Sequence, residues 1–371
     1  MDLSPEDALR LNVLLANDPL AIRIHESSMT VFGLTGTGEV QLRLNPSGRD
    51  DQYLKRVREL LSGHVLGSPG GYPVYLQRWT RMGQMRDGSL EQLLLLGEPE
   101  AVVAVVCAPG LTDELARRAW WAMEDAENAR RMLARDAVAG GTMGPVLARY
   151  LAEHLAFETE PEKMMETVRL VLQPGLVDDA IRDDLWKKAQ RKNAYYVGFL
   201  AAIPDALPDS TPAHPVLDEH QAVLAAAAAD GDALARQLLR VFAPAGQAYL
   251  ATAARVLAKP PNQDVLITLL ETLAGYFAAV RPEGPVDLTL DELLAEAETW
   301  LADTAPALAD LADLRPAARA ARVLSGMGYG VVRPVLKGTT AIGSLMRRKV
   351  EPVVTPLLAE IAALHAGAKR S

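Results

Sequence analysis

The stretch PGLTDELARRAWW at residues 109–121 is followed, at residues 174–186, by PGLVDDAIRDDLW. Pro, Gly, Leu, Asp, Arg and Trp stand at the same offsets in both copies, and an acid followed by Pro precedes each copy. Pro starts helices, a Pro-Gly stretch ends them, and acids favour the first turn of the next helix. Each copy therefore predicts two short helices joined by a tight turn.

The recurrence of this helix pair decides the predicted fold class. Short helix pairs that repeat along a chain are typical of HEAT-like α-solenoids. Of the 371 residues, 49% are hydrophobic but only 5% are aromatic, and Ala and Leu dominate the apolar set, which favours helices over strands. We expect a mainly α protein with HEAT-like helical repeats and a small N-terminal α+β unit.

The N-terminal part of the chain has a different pattern. Ser4 and Pro5 are a typical helix start. Over residues 20–44, apolar residues alternate with polar ones and Gly-rich turns separate the runs, so a meander of three strands is expected. With a further helix near residues 50–62, residues 1–87 are predicted to form the α+β unit.

Prolines mark a division of the helical region. Residues 203–215, IPDALPDSTPAHP, contain four prolines, and each Pro biases its predecessor away from helix. This stretch is predicted to be a linker or a domain break. The expected domains are residues 1–87, a helical-repeat region at 88–203, and a C-terminal helical region at 216–371 that ends in a basic, Gly-containing segment.

Composition excludes several classes of protein. The formal net charge of −9 and the scarcity of aromatic residues argue against nucleic acid as a partner. Cys107 is the only cysteine, so no intrachain disulfide can form. The first residues are acidic without a basic region, and no run of about 18 uncharged apolar residues occurs, so neither a signal peptide nor a transmembrane segment is expected. We expect a cytoplasmic protein, and its oligomeric state stays open.

Both copies of the repeated stretch place an Arg four residues before a Trp. In a helix, Arg117 and Trp121 share a face, as do Arg182 and Trp186, so each guanidinium is placed to lie over an indole. Trp and Arg are frequent in the centres of protein interfaces. These four residues are candidates for a partner-binding stripe, and the alternative is packing between neighbouring repeats.

The C-terminal part has a sharp contrast of charge. Residues 283–313 contain nine acids and no Lys or Arg, whereas residues 314–350 contain eight bases and no acid. One interpretation is that the acidic and basic segments pair within the chain. The other is that the stretch from Arg333 to Lys349 contacts an acidic partner or anionic lipid at the membrane periphery. Arg347, Arg348 and Lys349 are the candidate contact residues.

Catalytic and metal-binding patterns are weak. Cys107 ends the apolar run AVVAVVC and is expected to be buried and inert. The SGMGYG stretch at residues 325–330 lacks the spacing of a nucleotide-binding loop and is expected to be a plain loop or a site of close helix packing. His214 and His220 lie near one another, but Pro215 keeps the start of this segment outside a helix, so no metal site is predicted. No catalytic residues and no cofactor are expected.

The block RWTRMGQMRDGSLEQLLLLGEPEAVVAVVCAPGLTDELARRAWWAMEDAENARRML, residues 78–133, resembles the DsrS family, which is encoded among the dissimilatory sulfite reductase genes of sulfur-oxidising bacteria. The opening MDLSPEDALRLNVLLAND and the segment VRELLSGHVLGSPGGYPVYL are also similar. The resemblance implies a cytoplasmic accessory role in the oxidation of stored sulfur, and it implies no reaction and no cofactor. Proteins of sulfur relays use exposed, mobile cysteines, and Cys107 in an apolar helix departs from that pattern.

Two main hypotheses follow from the sequence. The first is a non-catalytic cytoplasmic scaffold, or accessory protein, that binds a protein partner through the Arg and Trp residues of the repeated stretch, with Arg347, Arg348 and Lys349 as a second contact. The second is a small-molecule or sulfur-handling enzyme that uses Cys107 or the 325–330 loop. Attachment to a membrane surface through residues 333–349 is a third possibility.

Overall fold

The described part of the chain is mainly helical and contains one three-stranded antiparallel sheet near the N-terminus. In this computed structural model the chain divides into two compact units, Met1–His154 and Leu155–Ser371. The structure describes residues 3–67, 88–285, 287–304, 309–339 and 341–366.

The first unit combines the sheet with short helices. Its elements are α1 (Pro5–Ala16), β1 (Ala21–His25), β2 (Thr30–Thr35), β3 (Gly38–Arg43), α2 (Asp50–Leu66), α3 (Gly88–Leu93), α4 (Pro99–Cys107), α5 (Asp113–Ala122), α6 (Ala126–Leu133), α7 (Asp136–Ala139) and α8 (Met143–His154). The predicted three-stranded meander and the two flanking helices are confirmed. Of the stretch GSPGGYP at residues 67–73, only Gly67 is among the described residues.

The sheet is a meander in the order β1-β2-β3, with Ile24 opposite Val31 and Val31 opposite Leu42. Its buried face packs on α1 and α2 because the alternating apolar residues all point to that side. The Ser4 hydroxyl accepts a hydrogen bond from the Asp7 backbone N–H at 3.1 Å, as expected for a helix cap. The N-terminal core is therefore specified by local sequence patterns.

The helices after residue 88 belong to the same unit as the sheet. The backbone N–H of Ile22 in β1 donates to the carbonyl of Leu94 at 2.8 Å. Gly97 has a φ of +62°, and a Cβ there would lie only 2.9 Å from the side chain of Ile24. Because sheet and helices pack this closely, the first unit extends to His154 rather than ending at the predicted boundary after residue 87.

The second unit consists of helices and short 3₁₀ turns. Its helices are α9 (Pro161–Val171), α10 (Asp179–Ala189), α11 (Asn193–Ala202), α12 (Val216–Ala229), α13 (Ala233–Phe242), α14 (Pro244–Ala258), α15 (Gln263–Tyr276), α16 (Leu290–Thr304), α17 (Arg315–Ser325), α18 (Tyr329–Leu336) and α19 (Gly343–Leu364), and its 3₁₀ turns are Leu155–Phe157, Ala278–Val280 and Ala309–Leu314.

The central helix of the second unit is α11. All side chains of residues 194–200 are buried, and the helix packs against α9, α10, α14 and α15. Gly198 permits the close approach of α9, because a Cβ at this position would lie 2.6 Å from the Cβ of Val168 and 2.8 Å from the carbonyl oxygen of Met165. A helix that is apolar on every side is buried on every side.

The two copies of the repeated stretch both form a pair of helices, α4–α5 and α9–α10. Their caps differ by one position. Thr112 caps α5, which leaves Asp113 to accept hydrogen bonds from the backbone N–H groups of Thr142 and Met143 at the start of α8. In the second copy Asp178 caps its own helix, α10, through the N–H of Ile181 at 2.9 Å.

The helix pairs also pack differently. Helix α4 packs against α5 and α6, whereas α9 packs chiefly against α11. The copies lie in different compact units. The duplicated stretch is thus a local helix-pair pattern, and the HEAT-like solenoid stays a prediction.

The Pro-rich residues 203–215 lie inside the second unit. The Asp205 carboxylate forms an ion pair with Arg240 at 2.6 Å, and the carboxylate of Asp209 accepts a hydrogen bond from the Trp186 indole at 3.1 Å. These contacts hold the segment on α10 and α13. The division between units falls at residues 154 and 155, which differs from the predicted break at residues 203–215.

We expect Gly198→Ala to lower the free energy of unfolding by about 1–3 kcal/mol, because the added methyl group must displace backbone and side-chain atoms of α9. Gly275→Ala is the matched control, since nothing lies within 4 Å of a Cβ built at Gly275 in α15. This control should be neutral or stabilise the chain by up to about 1 kcal/mol. Equilibrium urea unfolding measures both, and equal effects of the two substitutions would contradict the close contact.

Candidate functional site

In the first copy of the repeated stretch, the predicted Arg–Trp stack is not formed. Arg117 instead makes a bidentate ion pair with Glu114, with two N–O distances of 2.7 Å. The hydrogen bond from Arg117 lowers the pKa of Glu114 to about 2. The guanidinium over the Trp121 ring is that of Arg23 from β1, at 4.7 Å, and the indole N–H donates to Glu39 at 2.9 Å. Trp121 therefore fastens α5 to the sheet.

In the second copy, Trp186 lies in the core and not on an exposed stripe. Its side chain is 7% exposed. The rings of Tyr196 and Phe199 from α11 contact it edge-on, with centroid distances of 4.9 and 4.8 Å. Arg182 pairs with acids of its own helix, at 3.0 Å from Asp179.

Both repeated Trp residues have the same structural role. Each indole N–H donates to a carboxylate from another segment, Glu39 for Trp121 and Asp209 for Trp186. The interpretation as packing accounts for all of these contacts. Each indole is thus engaged inside its own unit, Trp121 with the sheet and Trp186 with the helices around it.

Part of the contrast of charge in the C-terminal part is compensated by ion pairs within the chain. Arg322 and Arg281 both pair with Glu296, each at 2.5 Å. Two further pairs join the acidic and basic segments, Asp287 with Arg333 and Glu298 with Arg319. The predicted intramolecular pairing is confirmed for these residues.

The pair of guanidiniums around Glu296 changes its proton affinity. Burial by itself would raise the pKa of this carboxyl, but hydrogen bonds from Arg322 and Arg281 outweigh burial and hold the pKa below its usual 4.5. Arg322 also donates to the carbonyl of Val280 at 2.7 Å and lies 5.3 Å from the centre of the Trp300 ring. The cluster therefore joins α16, α17 and the 3₁₀ turn before α16.

The bases after Arg333 are not neutralised in this way. Lys337, Arg347 and Arg348 are exposed and form no ion pair with any residue that the structure describes. The ammonium group of Lys349 donates to the hydroxyl of Thr339 at 2.7 Å, which leaves its charge uncompensated. A basic surface thus persists around the start of α19.

Two large aliphatic side chains lie beside these bases. Ile342 is 74% exposed and Leu345 is 55% exposed. Helix α19 begins without an acid in its first turn and without a side-chain cap, so the partial positive charge of its N-terminus adds to that of the bases. We name this surface the α19 patch; its residues are Lys337, Ile342, Leu345, Arg347, Arg348 and Lys349.

Cys107 is exposed at the C-terminal end of α4, so the prediction of a buried thiol is wrong. Within the apolar run, Val102, Val105 and Val106 face the core, whereas Val103 is 38% exposed. Residues four apart share a helix face, so Val103 and Cys107 both point to the solvent side. The exposure of Cys107 could therefore have been predicted from helical spacing within the apolar run.

Residues 326–328 join α17 to α18, and two glycines of the 325–330 stretch, Gly326 and Gly330, stand at close contacts. A Cβ at Gly326 would lie 2.4 Å from Leu293, and one at Gly330 would lie 2.5 Å from the backbone of Asp287. The loop stands between two helices, whereas a dinucleotide fingerprint follows a strand. The prediction of close helix packing is confirmed.

A cleft of about 920 Å³ lies in the second unit beside titratable groups. His214, Asp313 and His365 line it together with apolar residues that include Phe242. Burial lowers the pKa of His365. This cleft is not evident from the sequence, because its polar residues are far apart in the chain and adjoin no recognisable motif.

Protein-family models, curated proteins and solved structures yield no match to this chain. Among the helices of the described residues, none combines the length and apolar character that crossing a membrane requires. Inferences about function therefore rest on the surfaces themselves.

We expect Glu296→Gln to destabilise the chain by on the order of 3 kcal/mol at neutral pH, because two buried guanidiniums lose their common carboxylate. Since the pKa of Glu296 is lowered by folding, its stabilising effect is present above pH 4.5 and is lost as the pH falls through the folded-state pKa. The difference from the unchanged chain should therefore shrink in acid. Urea unfolding across this pH range measures it.

Glu298→Gln is the control for this substitution. Glu298 is 60% exposed and pairs with Arg319 only at the surface. Its loss should cost less than about 1 kcal/mol. Equal costs for the two substitutions, or a cost for Glu296→Gln that does not change with pH, would refute the role given to the buried cluster.

We expect the native chain to react at Cys107 with a thiol reagent such as dithionitrobenzoate, with one thiol modified per chain. Because the thiol is exposed, the native rate should lie within about tenfold of the rate in urea. Circular dichroism of the product checks that the fold is kept. A native rate more than a hundredfold slower would show that the thiol is covered.

Proposed function

We propose that the chain is a non-catalytic binding protein that contacts an acidic surface of a protein partner through the α19 patch. One observation carries the proposal. The N-terminal bases of the basic segment, such as Arg322 and Arg333, pair with acids of the same chain, whereas Arg347 and Arg348 are exposed without such a pair among the described residues.

The composition of the patch suits protein recognition. Its bases supply complementary charge, which raises association rates and selects acidic partners. Ile342 and Leu345 add exposed apolar surface next to these bases. Arg348 and Lys349 follow Leu345 by three and four residues in α19, so these three side chains share a helix face.

The charge of the whole chain favours a protein over a membrane as the partner. With a net charge of −9, the remaining surface is repelled by an extended anionic bilayer. An acidic site on a protein is small, so it contacts only the α19 patch and is not repelled by the rest of the surface. Two exposed aliphatic side chains also offer little apolar surface for insertion into lipid.

We further propose that this binding serves the oxidation of stored sulfur in the cytoplasm. The support for this proposal is the resemblance of residues 78–133 to the DsrS family. An accessory protein of that process needs a surface for its partner and needs no catalytic centre of its own.

The proposal is tested by affinity capture from the native cell extract with three forms of the full chain. Arg347→Glu with Arg348→Glu reverses two charges of the patch. Arg43→Glu with Lys55→Glu is the control, because both residues are exposed in the first unit and the total charge changes equally. We expect one stoichiometric partner with the unchanged chain and the control, and at least about tenfold less with the patch variant, equivalent to about 1.4 kcal/mol.

Three outcomes would count against the proposal. These are the absence of a partner at low salt, capture that the patch variant does not weaken, and equal loss in the control. Pelleting of the chain with vesicles of phosphatidylserine and phosphatidylcholine, abolished in the patch variant while no protein is captured, would assign the patch to lipid instead.

A further inference from the structure

A second cluster of polar groups lies in the C-terminal unit, away from the residues of the α19 patch. Glu219 and His220 stand in the first turns of α12, and Asp313 stands near the end of the 3₁₀ turn Ala309–Leu314. The imidazole Nε2 of His220 lies 2.6 Å from a carboxylate oxygen of Asp313. One ligand atom from each of the three residues lies within 4.8 Å of the other two.

We propose that Glu219, His220 and Asp313 bind a divalent transition-metal ion such as Zn²⁺. One imidazole and two carboxylates are a ligand set that Zn²⁺, Mn²⁺ and Co²⁺ accept, whereas Mg²⁺ and Ca²⁺ prefer oxygen ligands alone. This inference does not depend on the α19 patch or on the proposed function.

The spacing of the ligand atoms agrees with such a site. Zinc–ligand bonds of about 2.0–2.2 Å place neighbouring ligand atoms about 3–3.5 Å apart. The three groups are within 4.8 Å of one another, so rotation of side chains suffices to bring them to that spacing. Asp313 is 55% exposed and Glu219 is also exposed, which leaves both carboxylates free to rotate.

The cleft beside Asp313 supplies the second observation. Asp313 is one of the residues that line the cleft of about 920 Å³, together with His214 and His365. The backbone N–H of Val216 donates to Nδ1 of His214 at 3.2 Å, so that nitrogen is engaged within the loop. Of the three proposed ligands, Asp313 lies at the wall of this open cleft. A metal ion held by three protein ligands keeps coordination positions for water or a small anionic ligand, as in sites that are not purely structural.

The alternative is that His220 and Asp313 form only an ion pair between α12 and the 3₁₀ turn. The two interpretations differ in their dependence on metal. An ion pair stabilises the chain equally with and without metal. A metal site binds Zn²⁺, and its affinity for Zn²⁺ falls when either His220 or Asp313 is replaced.

The test uses the full chain without an affinity tag, freed of metal with a chelator and titrated with Zn²⁺ by calorimetry. Co²⁺ serves as a second probe, because its visible absorption reports the coordination. We expect one equivalent to bind. His220→Ala and Asp313→Asn should each weaken binding by at least about tenfold, since loss of even an outer hydrogen-bond partner of a ligand costs about 10–100-fold.

Two control variants separate this site from general attraction of cations. Asp218→Asn removes an exposed neighbouring carboxylate of α12, and His64→Ala removes an exposed imidazole in the first unit. Both should bind Zn²⁺ as the unchanged chain does. The proposal fails if no equivalent of Zn²⁺ binds, if neither His220→Ala nor Asp313→Asn weakens binding, or if the controls weaken it equally.

Discussion

The packing of the C-terminal unit depends on the close contact between α9 and α11 at Gly198. Because no Cβ separates the helices there, the buried rings of α11 reach Trp186 on α10, and Tyr196 also accepts a hydrogen bond from Arg255 of α14 at 2.9 Å. Helix α11 thus brings four other helices, α9, α10, α14 and α15, into one core. Such a contact is sensitive to a single methyl group, as expected for an interior packed at crystal-like density.

The electrostatics of this unit divide into a paired part and an unpaired part. Around Glu296, two guanidiniums share one carboxylate at low exposure, and each guanidinium has a second acceptor, the Ser325 hydroxyl for Arg281 and the Val280 carbonyl for Arg322. At the start of α19 the bases have no carboxylate partner among the described residues. One run of basic sequence therefore stabilises the fold at its N-terminal end and presents charge to solvent at its C-terminal end, where Arg347 and Arg348 stand.

Sequence reasoning succeeded where the determining interactions are local. The strand meander and the Ser4 cap each follow from residues a few positions apart. It failed where distant residues compete. The four-residue spacing of Arg117 and Trp121 permits a stack, but Arg23, from far along the chain, takes that place. The cleft and the Glu219 cluster likewise assemble from separate segments, which composition and periodicity do not bring together.

The ordered Pro-rich residues 203–215 have a consequence for the unfolded state. A proline restricts the backbone of the unfolded chain, so fixing a segment with four prolines loses less conformational entropy than fixing a flexible one of equal length. The bonds of Asp205 and Asp209 then need to offset a smaller entropy loss to hold the segment in place. The prolines that predicted a break in the chain thus favour the attachment of this segment to the second unit, because they lower the conformational entropy of the unfolded chain.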